Sequence, residues 1–162
     1  MAVLLWVVLL SAGVSLSQAQ ESFSKLPDIY KKGVELALRA INAHHASKDH
    51  FLFLKSIHQA EIEAGFDVVY IYHNFYLKGT KCKRGTENAD TTSCAFRNDR
   101  PLVDCVVCYK ISAGKIDDKP QPYLSCMYRR SLSKESMRER EIGCFRAGFG
   151  SLTPTPVPFT GS

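Results

Sequence analysis

At 162 residues and a formal charge of +5, the chain is long enough for one packed domain and no more. Beyond the first twenty residues no apolar stretch approaches the roughly 20 residues a membrane span needs. Its positive balance favours anionic surfaces such as glycosaminoglycans or microbial membranes over cationic partners; no nucleic-acid partner is expected.

Residues 1–20 read as a secretory signal peptide. Val3 to Leu10 is an apolar run, and Ser17-Gln18-Ala19 offers the small residues of a cleavage site. All six cysteines lie beyond it. An even count in an oxidising compartment implies three disulfides and a secreted, extracellular protein, expected to be a monomer.

Leu26 to His45 carries helical periodicity, with Ile29, Gly33, Leu36, Ala37, Ala40, Ile41 and His44 on one broad face. Pro27 suits a first turn, and Gly33 on the packing face implies close approach to a sheet. Phe51 to Ile62 reads as a bent strand and Gly65 as a turn. Phe66 to Leu77, rich in β-branched and aromatic residues, is the clearest strand. Lys78 to Arg100 is a long polar excursion holding Cys82 and Cys94.

Pro101 to Ile111 is the next strand, and Cys105 and Cys108 sit inside it. Residues three apart on a strand point to opposite faces, and their Cα atoms lie roughly 10 Å apart. A disulfide tolerates roughly 7 Å. The two cysteines therefore cannot pair with each other, and the strand becomes a double anchor. Pro122 to Arg130 is a further strand with Cys126. Ser131 to Glu141 is so highly charged that it reads as an exposed, partly helical connector, with Ser136 and Glu139 spaced as a weak capping box. Cys144 is expected to end the folded region, and from Ala147 onward three alternating prolines mark an extended tail. One long helix followed by strands and turns argues for an α+β fold, an antiparallel sheet laying its apolar face around the helix.

The cysteines are best read as structural. Cys82 and Cys94 bracket eleven residues, which favours a local bridge worth about 3 kcal/mol in the entropic account. Cys105 and Cys108 are then left to pair with Cys126 and Cys144. A zinc or redox C-x2-C is disfavoured by the intervening Val106 and Val107 and the lack of a second such pair. His44, His45, His50, His58 and His73 show no metal-ligand spacing. Neither a serine elbow nor a phosphate loop is present, so no metal, cofactor or enzymatic activity is expected. Lys78, Lys81, Lys83 and Arg84 form one basic cluster. Arg129, Arg130, Lys134, Arg138 and Arg140 form another, diluted by Glu135, Glu139 and Glu141. Either is a solvated surface or a heparin or anionic-membrane patch.

The helix, the wrapped sheet and cysteines confined to the carboxyl-terminal half resemble the cystatin-like fold of cystatins and cathelicidin propieces. The six-cysteine order narrows this. A pair around a basic loop, a C-x2-C strand and two single cysteines resemble the chemerin (retinoic acid receptor responder) family. That resemblance implies the pairings Cys82–Cys94, Cys105–Cys126 and Cys108–Cys144, and a cystatin-like domain over 21–146 followed by a tail over 147–162. It also implies a secreted chemoattractant and adipokine precursor of the inflammatory response. An activating protease would trim the tail, and Pro156, Val157, Pro158, Phe159 and Thr160 would engage a chemokine-like G-protein-coupled receptor. A cationic host-defence role of the cathelicidin kind is the alternative. Cysteine-protease inhibition is the weakest reading: the cystatin Q-x-V-x-G hairpin and Pro-Trp motifs have no counterpart, and the only Trp is Trp6.

Overall fold

The computed structural model describes residues 22–44, 47–85 and 94–150. The expected signal peptide and the tail residues Pro156 to Thr160 lie outside the described residues.

Helix α1 spans Asp28–Ala43. Pro27 sits one step outside it as the N-cap, extended at ψ 145°, where its missing N–H costs nothing, and Asp28 places an acid in the first turn. The helix is thus shorter at both ends than its periodicity implies. Its buried stripe is Tyr30, Gly33, Val34 and Ala37, while Ile29, Leu36 and Ile41 pack along the margins. Ala40 and His44, assigned to the inner face by spacing, are exposed. Tyr30 and Val34 take inner positions instead, which turns the stripe round by about one position.

Asn42 joins the helix to the sheet: its side-chain amide donates to the Phe51 carbonyl at 3.2 Å, and its oxygen accepts the Phe51 N–H at 2.8 Å. Strand β1 follows over Asp49–Gly65 and β2 over Val68–Lys83, paired antiparallel with four register shifts that bend the ribbon. The turn is Phe66-Asp67, both at positive φ (52° and 57°). Phe66, expected to open β2, is therefore in the turn. Cys82, expected in the polar excursion, lies on β2 itself.

Strand β3 (Val103–Ser112) pairs with β2 in unbroken register from Val68↔Ser112 to Leu77↔Val103. Its other edge carries β4 (Lys115–Ile116) and β5 (Tyr123–Tyr128), both antiparallel. The α+β class and the antiparallel sheet against a helix are as the sequence predicts.

The second helix goes further than the sequence predicts. The stretch expected to be an exposed, partly helical connector forms a helix of 13 residues, α2, Lys134–Arg146, which covers the sheet face opposite α1. The cap is one turn earlier than expected: the Ser136 N–H donates to Ser133 Oγ at 3.1 Å, and the Ser133 N–H donates to Ser136 Oγ at 2.8 Å. Glu139 takes no part in it. Val103, Cys105, Val107, Tyr109 and Ile111 of β3 pack under α1 with Phe53, Ile71, Phe75 and Leu77. Val106 and Cys108 point the other way, into a second cluster with Cys144 and Ala147. A strand buried on both faces needs an unbroken apolar run rather than alternation, which is what 101–111 supplies.

Candidate functional site

The functional geometry centres on how β3 holds α2 and the segment after it. Cys105, on the α1 side, bonds Cys126 directly across on β5, Cα to Cα 4.1 Å. Cys108, on the other side, reaches Cys144 of α2 at 5.2 Å. Cys82 joins Cys94 at 5.5 Å and closes the excursion. All three pairings are those the family resemblance implies.

Beside the Cys108–Cys144 bond lies a second tie. Arg140 Nη1 donates to Asp104 Oδ1 at 2.6 Å, Nη2 to the Asp104 carbonyl at 2.8 Å, and Nε to Ser125 Oγ at 3.2 Å. Asn74 Nδ2 adds a bond to the same carboxylate oxygen at 2.9 Å and another to the Cys105 carbonyl at 2.9 Å. Both members of the pair are more than nine-tenths buried. Two buried charges persist only when paired and hydrogen-bonded, and here the network meets that condition.

The spacing explains the arrangement. Asp104 and Cys108 are four apart on a strand, hence on one face. Arg140 and Cys144 are four apart on a helix, hence also on one face. Sequence reasoning placed Arg140 in a surface basic cluster; the matched intervals D-x3-C and R-x3-C were the signal that could have found it.

Beyond Cys144 the chain does not leave the fold at once. The Ala147 N–H donates to the Gly143 carbonyl at 3.1 Å and the Phe149 N–H to the Cys144 carbonyl at 3.0 Å. Ala147 is buried. Gly148, at φ 93°, passes so close over Tyr70 that a Cβ there would lie 2.4 Å from the ring. Phe149 packs on Tyr72, ring centres 5.6 Å apart. Cys144, expected to end the folded region, is thus followed by packed structure as far as Phe149. The uncharged, proline-rich residues 151–162 continue from this anchored point.

The remaining singled-out residues are dispersed. His73 is fully buried beneath α1, its Nε2 2.8 Å from Ser56 Oγ and its ring against Tyr30 and Phe75. Its Nδ1 meets no hydrogen-bond partner among the described residues. Burial pulls its pKa down to about 4. His58 meets the Tyr72 ring edge-on, His50 is buried and His44 exposed, and His45 lies outside the described residues. Among the described residues no three His, Cys, Asp or Glu side chains gather as a metal site. No described helix is long and apolar enough to cross a membrane.

Of the basic clusters, Lys78 bonds Asn98 at 2.8 Å and lies over Phe96. Arg129 lies over Tyr76 and Arg130 over Tyr128. Lys134 and Arg138 are exposed. Removing Arg140 leaves the second cluster smaller than the sequence implies. No protein-family model matches this chain, and no curated protein matches it.

Proposed function

We propose that this chain is a secreted precursor of a chemoattractant or adipokine, a cystatin-like domain presenting a carboxyl-terminal tail that a protease trims to activate a chemokine-like G-protein-coupled receptor. The observation that carries this reading is the double tie of α2 to β3, covalent through Cys108–Cys144 and ionic through Asp104–Arg140. It gives the segment ahead of the tail a rigid seat, from which Pro156 to Thr160 would reach the receptor. The six-cysteine order shared with the chemerin family supports the same reading. Calcium mobilisation in cells bearing such a receptor tests it. Full chain, chain trimmed to Phe159 or Thr160, and a peptide covering Ser151 to Thr160 are compared. A response from the trimmed chain or the peptide supports the proposal; silence of all three at micromolar dose overturns it.

A second reading, cationic host defence at anionic membranes or glycosaminoglycans, is favoured by the exposed Arg129, Arg130, Lys134 and Arg138 on a chain of net +5. It requires microbial killing that weakens as salt shortens the Debye length to roughly 10 Å at 0.1 M. Salt-independent killing, or none, rejects it.

A further inference from the structure

At the C-terminal end of α1 the helix and the sheet part, leaving a cleft of about 480 Å³. Its walls are Ala40 and Ile41 of α1, Phe51 of β1, Val103 of β3, and Leu124 and Met127 of β5. The volume falls within the roughly 300–1,000 Å³ range of small-molecule sites. The cleft runs on into a smaller recess of about 270 Å³ that shares Ser47, Phe51 and Tyr128 with it and is lined further by Lys48, Asp49 and Arg100. One end is therefore apolar and the other charged.

The sign of that charge is positive. Lys48 and Arg100 line the recess, and Arg130 lies over the Tyr128 ring that both cavities share, at 5.7 Å. The one carboxylate lining the recess is Asp49. Asp49 is already engaged by Arg97 at 3.1 Å. Arg100 reaches Asp49 only at 3.4 Å and keeps half its side chain exposed. Two lining cations, Lys48 and Arg100, against the already paired Asp49 leave the recess with a net attraction for an anion.

We propose that this cleft binds a free medium-chain fatty-acid carboxylate. The alkyl chain lies among Ile41, Phe51, Val103 and Leu124, and the carboxylate sits at the mouth beside Lys48 and Arg100. The site is independent of the tail and of the receptor reading.

The test is titration of the purified full chain with 11-(dansylamino)undecanoate, followed by displacement with decanoate, dodecanoate, tetradecanoate and dodecan-1-ol below their micelle concentrations. Saturable one-to-one binding is expected. Each added methylene should strengthen displacement about fourfold until the cleft is filled, after which affinity levels off. The alcohol should bind roughly tenfold more weakly than the carboxylate of equal length. The double variant K48E/R100E, at exposed positions, should weaken the carboxylate by a similar factor and leave the alcohol unchanged. Leu124→Trp should fill the cleft and abolish both. If that variant fails to fold, the surface double variant still decides. Absence of saturable binding, equal affinity for alcohol and carboxylate, or no effect of K48E/R100E overturns the proposal. So does binding to phosphatidylglycerol vesicles without binding to free fatty acid.

Discussion

His73 and Arg140 are both polar and both buried, yet they respond differently to perturbation. His73 is held neutral by burial, with a pKa of about 4 in the fold against an ordinary 6.5. Between those values the unfolded chain binds a proton that the folded chain does not. Stability from this group is therefore complete above pH 6.5 and drains away as pH falls toward 4, by about 1.4 kcal/mol per pH unit and roughly 3 kcal/mol in all. Replacing His73 with Leu, which cannot titrate, should flatten the urea midpoint across that window; an unchanged slope would show that other groups govern the acid limb. Arg140 is charged and satisfied. Arg140→Met strands the Asp104 carboxylate with only the Asn74 amide, and should cost about 3–5 kcal/mol. The double variant D104L/R140M removes both charges and should recover most of that loss. Equal urea midpoints for the single and double variants would show that Asp104 is not the penalised group.

Helices α1 and α2 each meet the sheet through a glycine. A Cβ added at Gly33 of α1 would lie 2.6 Å from the Tyr109 ring of β3, and one at Gly143 of α2 would lie 2.1 Å from the Tyr123 ring of β5. The Tyr109 hydroxyl donates to the Ile29 carbonyl, so that ring cannot swing aside without losing a bond. In a free helix Gly→Ala stabilises by about 1 kcal/mol; here both G33A and G143A should destabilise by about 1–3 kcal/mol through overpacking. A rise in melting temperature for either would mean that the helix moves off the sheet at little cost. The role of Gly33 was legible in the sequence because it interrupts an apolar helical face. That of Gly143 was not, because seven of the thirteen residues of α2 are charged and no periodic stripe surrounds it. The same polarity hid Arg140: a buried ion pair looks, in sequence, like two more surface charges. Strand β3 was readable for the opposite reason. Its apolar run and its two cysteines facing opposite ways already required cover on both sides, although the far cover was assigned to disulfides rather than to a helix.

Across the whole molecule, two sheet faces carry two covers, and the tail is continuous with the second. That continuity constrains how the chain is cut. Arg146 is the last Lys or Arg in the sequence, so a trypsin-like protease could release the tail only at the Arg146–Ala147 bond. Arg146 itself is exposed, but Ala147 is 1% exposed, its N–H is bonded to Gly143, and two residues on Phe149 packs on Tyr72. A protease must draw several residues on each side of the bond into an extended conformation, which here means unwinding the end of α2 next to the Cys108–Cys144 bond. Cleavage there should therefore track opening of the fold. Native protein should resist trypsin at this bond, whereas reduced, urea-treated protein should lose the tail quickly; C108S/C144S should be intermediate. If the chain is activated by proteolysis, as proposed, cleavage should instead follow Phe159 or Thr160, removing Thr160-Gly161-Ser162 or Gly161-Ser162. That requires an elastase-like, chymotrypsin-like or carboxypeptidase activity, with Pro154, Pro156 and Pro158 slowing further trimming. Mass spectrometry of native protein after timed exposure to each class of enzyme reads both outcomes. Rapid native cleavage after Arg146 accompanied by a gain of receptor activity would refute the anchored-tail account, since it would place the active end upstream of Phe149.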